Sequence, residues 1–127
     1  MRSISLPAFG LLAASAVLTA GANLLMRHGL LRAAGFSLAP RNIAGEMLKL
    51  LGYPSFSVGV ALYALAALVW FRVLSLVEVS TGYPILVGLT FVLVSVGAVV
   101  AFHESMSLFK LAGVLVILLG IILVARA

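Results

Sequence analysis

Long uncharged segments alternate with short charged ones along this chain. Residues 6–26 and 79–102 carry no charged side chain, and a third uncharged run begins at Pro54 and ends just before Arg72. A helix rises 1.5 Å per residue, so about 20 such residues cross a hydrocarbon layer roughly 30 Å thick. The runs are continuous rather than alternating, which is typical of membrane helices and not of barrel strands.

A fourth segment is shorter. Residues 111–125 are uncharged, and they reach membrane length if the helix begins near residue 105 and Lys110 extends its amine to the interface. We therefore predict an all-α membrane protein with four transmembrane helices. The predicted spans are about 6–26, 54–72, 79–102 and 105–125.

The connection between the first two spans is too long for a simple turn and has an amphipathic pattern of its own. In residues 43–51, four apolar side chains share one helical face, while Glu46 and Lys49 take the other. This pattern predicts a short interfacial helix over about 41–51, lying in the headgroup plane. The apolar face consists of Ile43, Met47, Leu48 and Leu51.

Composition indicates the same class of protein. The chain has 127 residues, of which 65% are hydrophobic and 9% charged, whereas about a quarter of the residues in a soluble domain are charged. We expect a single transmembrane domain over residues 1–127. There is no cysteine, which excludes disulfides, thiolate nucleophiles and cysteine metal sites. Because the usual constellations of nucleophile and base are missing, we predict that the protein is not an enzyme and needs no metal or cofactor.

The net charge of +5 comes from cations scattered at the ends of the spans, where they meet lipid headgroups, so nucleic acid is not an expected partner. The side with the long first loop has more of them than the side with both termini. This excess favours a cytoplasmic first loop, and its small margin leaves insertion in both orientations open. The loop side has Arg27, Arg32, Arg41, Lys49 and Lys110, and the other side has Arg2, Arg72 and Arg126.

The polar residues inside the spans are few and uncharged. An ionisable group at the centre of a span costs at least about 2.5 kcal/mol, so its absence argues against a carrier that uses a buried carboxylate. Ser15, Thr19 and Asn23 lie four residues apart and form a polar stripe on the first helix. Two interpretations stay open: Ser and Thr bond their own backbone and Asn23 bonds a neighbouring helix, or the stripe lines a wet cavity.

Glycine and proline positions predict close packing and a break. Gly113 and Gly120 are one heptad apart in the last span, which favours close approach of another helix. Pro84 lacks the amide hydrogen that would bond the Ser80 carbonyl, so we expect a kink or a late helix start there. Two interpretations stay open, a hinge and an ordinary first-turn proline. Four helices filled by side chains leave no room for a solute, so any transport function implies a dimer.

The last two spans carry a pattern that is shared with a known group of transporters. In residues 81–124, a helix with glycine and proline ends in Phe102, a variable residue and Glu104, and a polar turn and a glycine-punctuated helix follow. This pattern resembles the last two helices of the drug/metabolite transporter superfamily. The four-helix length and the Leu-Leu-Met-Arg sequence that ends at Arg27 resemble its small multidrug resistance branch.

One position departs from that branch, whose members have a glutamate in the first helix, two turns before the basic residue. Thr19 occupies this position here, and the first span has no acid. Through residues 27–54 in particular, the chain resembles the subunits that flip undecaprenyl-phosphate-linked aminoarabinose. The resemblance implies a multi-pass protein of the bacterial inner membrane. Its implied partners are a polyprenyl-phosphate-linked sugar lipid and either a second copy or a sister subunit in an antiparallel dimer.

The resemblance and the chemistry of lipid flipping together predict a binding site. The tails of such a lipid stay in the bilayer while the polar head crosses, so the carrier needs a polar groove with cations at the phosphate level. We expect Arg27 or Arg72 to hold the phosphate. Glu78 and Glu104 are the acids available for a substrate amine, but the expected role of Glu104 is structural, either satisfying a helix end or pairing with Lys110. The groove is expected to contain Thr19, Asn23, Tyr63 and Tyr83, and Trp70 is predicted as an interfacial aromatic.

Two other functions stay open. An exporter of small cationic or hydrophobic compounds needs an acid in its path, and Glu78 and Glu104 are the only candidates near the spans. A noncatalytic accessory membrane subunit would need no groove that opens to the lipid. Neutralising the two acids should abolish export, whereas a flippase should only be weakened.

Overall fold

The computed structural model describes residues 5–33, 36 and 41–126, which leaves Arg2 outside the described part. In this part the protein has five helices and no strand. Four helices are long and apolar enough to cross a membrane, and a short helix lies in the first loop, which confirms the predicted fold class. The helices are α1 (Leu6–Arg32), α2 (Ile43–Leu51), α3 (Pro54–Leu74), α4 (Val79–Phe102) and α5 (Leu108–Arg126).

α1 is longer than the predicted first span. It begins after Ser5, whose side chain accepts a hydrogen bond from the Ala8 amide at 3.3 Å, and it continues past Met26 to Arg32. The predicted end at residue 26 lies just before the first charged residue, Arg27. A charge does not stop a helix, however, and no proline interrupts this stretch. Arg27 therefore lies on α1 and not in the loop.

α3 and α5 also differ from the predicted spans at one end each. α3 continues to Leu74, slightly beyond its predicted end. α5 begins at Leu108 rather than residue 105, because the Ser107 hydroxyl accepts a hydrogen bond from the Lys110 amide at 3.1 Å and so caps the helix there.

Pro84 lies inside α4. The helix begins at Val79, with Glu78 in the N-cap position, so Pro84 belongs to its second turn. The late helix start and the first-turn proline, both expected from the sequence, are therefore wrong. The hydrogen bond that the Ser80 carbonyl loses falls near the helix end, and a hinge at this position stays a prediction.

α1 and α3 pack against each other through a glycine on each helix. A Cβ at Gly29 would lie 2.7 Å from the Cβ of Phe56 and 3.0 Å from its backbone nitrogen. A Cβ at Gly59 would lie 2.9 Å from the carbonyl oxygen of Ala22 and 3.1 Å from the amide nitrogen of Met26. Helices associate in lipid through such close backbone approach, because burying apolar area there gives little driving force.

α4 packs on both α1 and α5 through glycines. Leu24 of α1 lies against Gly97, and Ile117 and Ile121 of α5 lie against Gly88. These contacts place α4 between α1 and α5.

The two heptad glycines of α5 have open surroundings. Apart from the adjacent residues and the nearby backbone of α5 itself, no atom of the described residues lies within 4 Å of a Cβ built at Gly113 or at Gly120. The close approach that their spacing predicts therefore does not occur among the described residues of one chain. Packing against a helix of another chain stays a prediction.

Two apolar clusters lie at opposite ends of the bundle. The first joins one buried residue from each long helix, and the second joins the end of α1, α2 and the start of α3. The second cluster fixes α2 through Leu50, while the apolar face predicted to meet the headgroup region stays exposed. The clusters consist of Leu12, Val73, Ile85 and Ile121, and of Ala33, Leu50 and Phe56.

The connection from α4 to α5 turns sharply at His103. This residue has φ 54° and ψ 33°, in the left-handed region that non-glycine residues rarely adopt. The amides of His103 and Glu104 both donate to the Ala98 carbonyl and so close the end of α4. The turn thus determines where the Glu104 side chain lies.

Gly29→Ala is expected to destabilise the fold by about 1–3 kcal/mol, because the added methyl group would overlap the backbone of Phe56 and force α1 and α3 apart. Thermal unfolding of the purified protein in detergent measures the change. Gly10→Ala is the matched control on the same helix, since nothing lies within 4 Å of its Cβ position. Equal melting temperatures for the two variants would contradict the close approach.

His103→Gly is expected to keep or raise stability, because glycine adopts the left-handed conformation without a steric penalty. His103→Val is expected to lower stability by about 1–2 kcal/mol, because its Cβ disfavours that conformation. The same unfolding measurement separates the two variants. Equal losses in both would mean that contacts of the imidazole, and not the backbone conformation, hold the turn.

Candidate functional site

A cavity of about 1260 Å³ lies between α1, α3 and α4, and we call it the main cavity. It is open rather than enclosed, and it is large compared with typical ligand pockets of roughly 300–1,000 Å³. The expectation that four helices leave no room for a solute is therefore wrong. α1 packs along both α3 and α4, whereas α3 and α4 touch each other at few positions, so a space remains between them.

The polar stripe of α1, formed by Ser15, Thr19 and Asn23, is part of the cavity wall. The Ser15 hydroxyl donates to the Ala66 carbonyl of α3 at 3.1 Å. The Thr19 hydroxyl donates to the Ser15 carbonyl at 2.7 Å, and Asn23 Nδ2 donates to the Thr19 carbonyl at 2.9 Å. The stripe thus forms internal hydrogen bonds and also lines a cavity. Ser15, and not Asn23 as expected, makes the bond to α3.

Arg27 and Glu104 form an ion pair at one end of the main cavity. Arg27 Nη2 lies 2.8 Å from Glu104 Oε1, and Arg27 Cζ lies 5.5 Å from the centroid of the Phe102 ring. The two charged side chains are 51% and 35% exposed. Solvent therefore screens the pair, and such exposed pairs contribute at most about 1 kcal/mol. A ligand that binds either partner more strongly can replace the other.

The expected pairing of Glu104 with Lys110 is wrong. Glu104 meets Arg27 instead, because the left-handed turn at His103 brings it towards α1. Glu104 and Lys110 do line a second, smaller cavity of about 190 Å³ beside α4. Glu104 is therefore shared by the two cavities.

Aromatic side chains line the main cavity towards its other end. The rings of Trp70 and Tyr83 lie 6.0 Å apart at an interplanar angle of 56°, a tilted arrangement common among aromatic pairs. Trp70 lines the cavity. The sequence predicted it only as an interfacial aromatic and not as part of the site. Tyr63, about two turns before Trp70 on α3, adds a half-exposed phenol to the same wall.

Most of the side chains predicted for the site lie together in the main cavity, and two do not. Arg72 is outside the lining, and its guanidinium donates to the Ser75 hydroxyl at 3.3 Å. Glu78 is also outside and is exposed at the start of α4. Arg72 lies in the last turn of α3 and Glu78 in the N-cap position of α4, at the opposite end of the bundle from Arg27. The predicted residues in the lining are Thr19, Asn23, Arg27, Tyr63, Tyr83 and Glu104.

Sequence reasoning missed Thr90 and Phe102. Thr90 lines the cavity from α4, and its buried hydroxyl oxygen has no hydrogen-bond partner among the described residues. A helical count from Tyr83 in steps of three and four places Thr90 on the same face, so periodicity could have found it once Tyr83 was chosen. Nothing in the local sequence places Phe102 over Arg27.

The arrangement suits an amphiphile with a polar head. Polar groups follow the α1 wall from Ser15 to Arg27, which is about 18 Å at 1.5 Å per residue. The remaining walls are mainly apolar, and charge is confined to the end with Arg27 and Glu104. Within residues 5–33, 36 and 41–126, His and Glu side chains form no cluster that could hold a metal ion.

Several bacterial proteins are similar to this chain. "Uncharacterized protein y4nH" of Sinorhizobium fredii is 35% identical over 111 residues, which cover 87% of this chain and 92% of that protein. "Probable 4-amino-4-deoxy-L-arabinose-phosphoundecaprenol flippase subunit ArnF" of Yersinia enterocolitica is 37% identical over 112 residues, 87% of each chain. The probable subunit ArnE of the same kind of flippase, from an Enterobacter species, is 38% identical over 71 residues, which cover 56% of this chain and 65% of that protein.

No family model matches the chain, and no solved structure matches it. The similarity to ArnF nevertheless extends over most of both proteins. The four apolar helices and these relatives together identify the chain as a multi-pass protein of the bacterial inner membrane. The chain belongs to the family of the 4-amino-4-deoxy-L-arabinose-phosphoundecaprenol flippase subunits.

Proposed function

We propose that this chain is a transporter subunit that flips a polyprenyl-phosphate-linked sugar, with an undecaprenyl-phosphate-linked aminosugar as the expected substrate. The observation that carries the proposal is the main cavity, which has an arginine at one end, a polar stripe along α1 and apolar walls elsewhere. The relatives ArnF and ArnE are named as flippase subunits for such a lipid. These names describe transport and not covalent chemistry.

The cavity chemistry fits a head group that crosses the membrane while its tail stays in lipid. Thr19, Asn23 and Tyr63 offer hydrogen-bonding groups along the walls, so a sugar can exchange water for protein contacts. Between the pair of Arg27 and Glu104 and the aromatic end, the lining of the described residues has no charge. A free cation would lack a counter-ion there, whereas a prenyl-linked head needs none.

Arg27 is the proposed phosphate ligand. Its guanidinium carries parallel N–H donors that match phosphate oxygens, and its half-exposed side chain loses little hydration on binding. An exposed ion pair contributes at most about 1 kcal/mol, whereas hydrogen bonds to charged groups contribute about 1.5–3 kcal/mol. A phosphate can therefore displace Glu104 from Arg27. Arg72 lies outside the cavity lining, so we assign the phosphate to Arg27.

The active form is proposed to be a dimer, either of two copies or with a sister subunit. The names ArnF and ArnE describe subunits, which supports a pair of related chains. The open positions at Gly113 and Gly120 give α5 a surface where a second helix can approach closely. An antiparallel arrangement is the form that the resemblance implies.

Arg27→Ala is expected to lower the flipping rate at subsaturating substrate by roughly 10- to 100-fold, because a charge-assisted phosphate contact is lost. The assay uses the full chain, purified with any subunit that co-purifies, in proteoliposomes that contain a polyprenyl-phosphoryl aminosugar. A membrane-impermeant amine reagent outside the vesicles labels only the head groups that have reached the outer leaflet.

Arg72→Ala is the matched control for this assay. Arg72 is also an exposed arginine near a helix end, but it contacts Ser75 and not the cavity. We expect its rate to stay within about twofold of the wild type, as for most surface substitutions. A loss at Arg72 with none at Arg27 would move the phosphate site to the opposite end of the bundle. Unchanged rates in both variants would refute the phosphate assignment.

Cation export is the second candidate function, because Glu104 lines the main cavity and is the acid that such a transporter needs. The two functions predict different results for Glu104→Gln. In a flippase the change frees Arg27, so the affinity for farnesyl phosphate rises by up to about fivefold, while flipping, which also requires release of the phosphate, is weakened but not lost. In a cation exporter the change abolishes transport. Titration of farnesyl phosphate and efflux of a fluorescent cation are the two measurements, with Glu78→Gln outside the cavity as the control.

A further inference from the structure

The buried hydroxyl of Thr90 has no hydrogen-bond partner in the part of the chain that the structure describes. Thr90 is on α4 and lines the main cavity. It lies near the middle of the helix, about 17 Å from the N-terminal end at 1.5 Å per residue. The unpaired hydroxyl therefore lies at mid-depth of the bundle, beside the space through which a head group would pass.

A free hydroxyl is unusual at such a position. A threonine inside a helix commonly donates to the carbonyl one turn earlier, as Thr19 does to Ser15 at 2.7 Å. A buried polar group that keeps no partner costs free energy, and each such group in a folded protein needs an explanation. Thr90 lines the main cavity, but its hydroxyl oxygen is enclosed in this conformation, so a ligand in the cavity can bond it only after the side chain turns about χ1 towards that space.

The surroundings of Thr90 limit the chemistry of that ligand. The other lining residues of α4 between Tyr83 and the end of the helix are apolar, so Thr90 is the lone polar anchor on this wall. A neutral hydroxyl both donates and accepts, and it pairs well with another hydroxyl. A phosphate has a stronger partner in Arg27, which is one turn from the end of α1 and far from mid-depth.

We propose that Thr90 is a specificity-determining residue, whose hydroxyl bonds a sugar hydroxyl of the head group inside the main cavity. The inference rests on the proposed function and adds to it a contact that recognises the sugar and not the phosphate. A glycosylated prenyl phosphate has several hydroxyls that can reach Thr90, whereas a bare prenyl phosphate has no such group. Thr90 thus favours the glycosylated lipid over its bare carrier.

Thr90→Val keeps the shape of the side chain and removes the hydroxyl. The full chain in nanodiscs is titrated with farnesyl phosphate and with farnesyl phosphoryl mannose. The fluorescence of Trp70, which is the single tryptophan and lines the cavity, reports binding. We expect the Kd of the mannose-linked probe to rise about 3- to 10-fold, the value of one neutral hydrogen bond, while the Kd of farnesyl phosphate stays unchanged.

Thermal unfolding is a second measurement, and it would change if the Thr90 hydroxyl had only a structural role. The melting temperature of Thr90→Val is expected to stay the same or to rise, because the hydroxyl has no protein partner to lose. Thr81→Val is the matched control, with the same substitution on the same helix at a residue that lines neither cavity. It should leave both Kd values unchanged.

Three results would overturn the proposal: a lower melting temperature in Thr90→Val, an equal loss of affinity for both probes, or an unchanged Kd for the mannose-linked probe. If the wild type binds both probes and Thr90→Val changes neither Kd, the Thr90 assignment fails while the proposed function stands. If the wild type binds neither probe, the proposed function fails, and the role of Thr90 fails with it.

Discussion

Hydrocarbon offers no hydrogen bonds, and this constraint decides where most polar groups of the described residues lie. Backbone groups are paired within the helices, and the polar side chains of α1 donate to carbonyls from Asn23 back to Ser15. Charged side chains lie towards the ends of the long helices, where water and headgroups are within reach. The enclosed hydroxyl of Thr90, a residue that lines the main cavity, departs from this rule.

The main cavity exists because close helix contacts are unevenly distributed. α1 approaches α3 closely at Gly29 and Gly59, and it approaches α4 at Gly97. α3 and α4 have few contacts with each other. No hydrophobic force closes such a gap in lipid, because the surrounding tails are as apolar as the side chains. The glycines that hold the bundle together therefore also define the space between its helices.

The ion pair of Arg27 and Glu104 links the fold to the proposed transport. The pair joins α1 to the turn after α4, and both side chains are partly exposed. A fully buried pair would resist exchange, because removal of one partner would leave an uncompensated charge. A screened pair at the cavity end contributes little to stability and can give way to a phosphate. Partial exposure is thus the property that a reversible binding step requires.

The sequence by itself determined the membrane class, the four long helices, the amphipathic α2 and the polar stripe of α1, because these depend on composition and on the period of a single helix. The observed helix ends differ from the predicted ones, since charges mark the membrane boundary and not the end of a helix. Only the tertiary structure decided that Glu104 pairs with Arg27 and not Lys110, and that Thr90 lines the cavity. Those contacts depend on how neighbouring helices are rotated and on the left-handed turn at His103, and no local pattern encodes either.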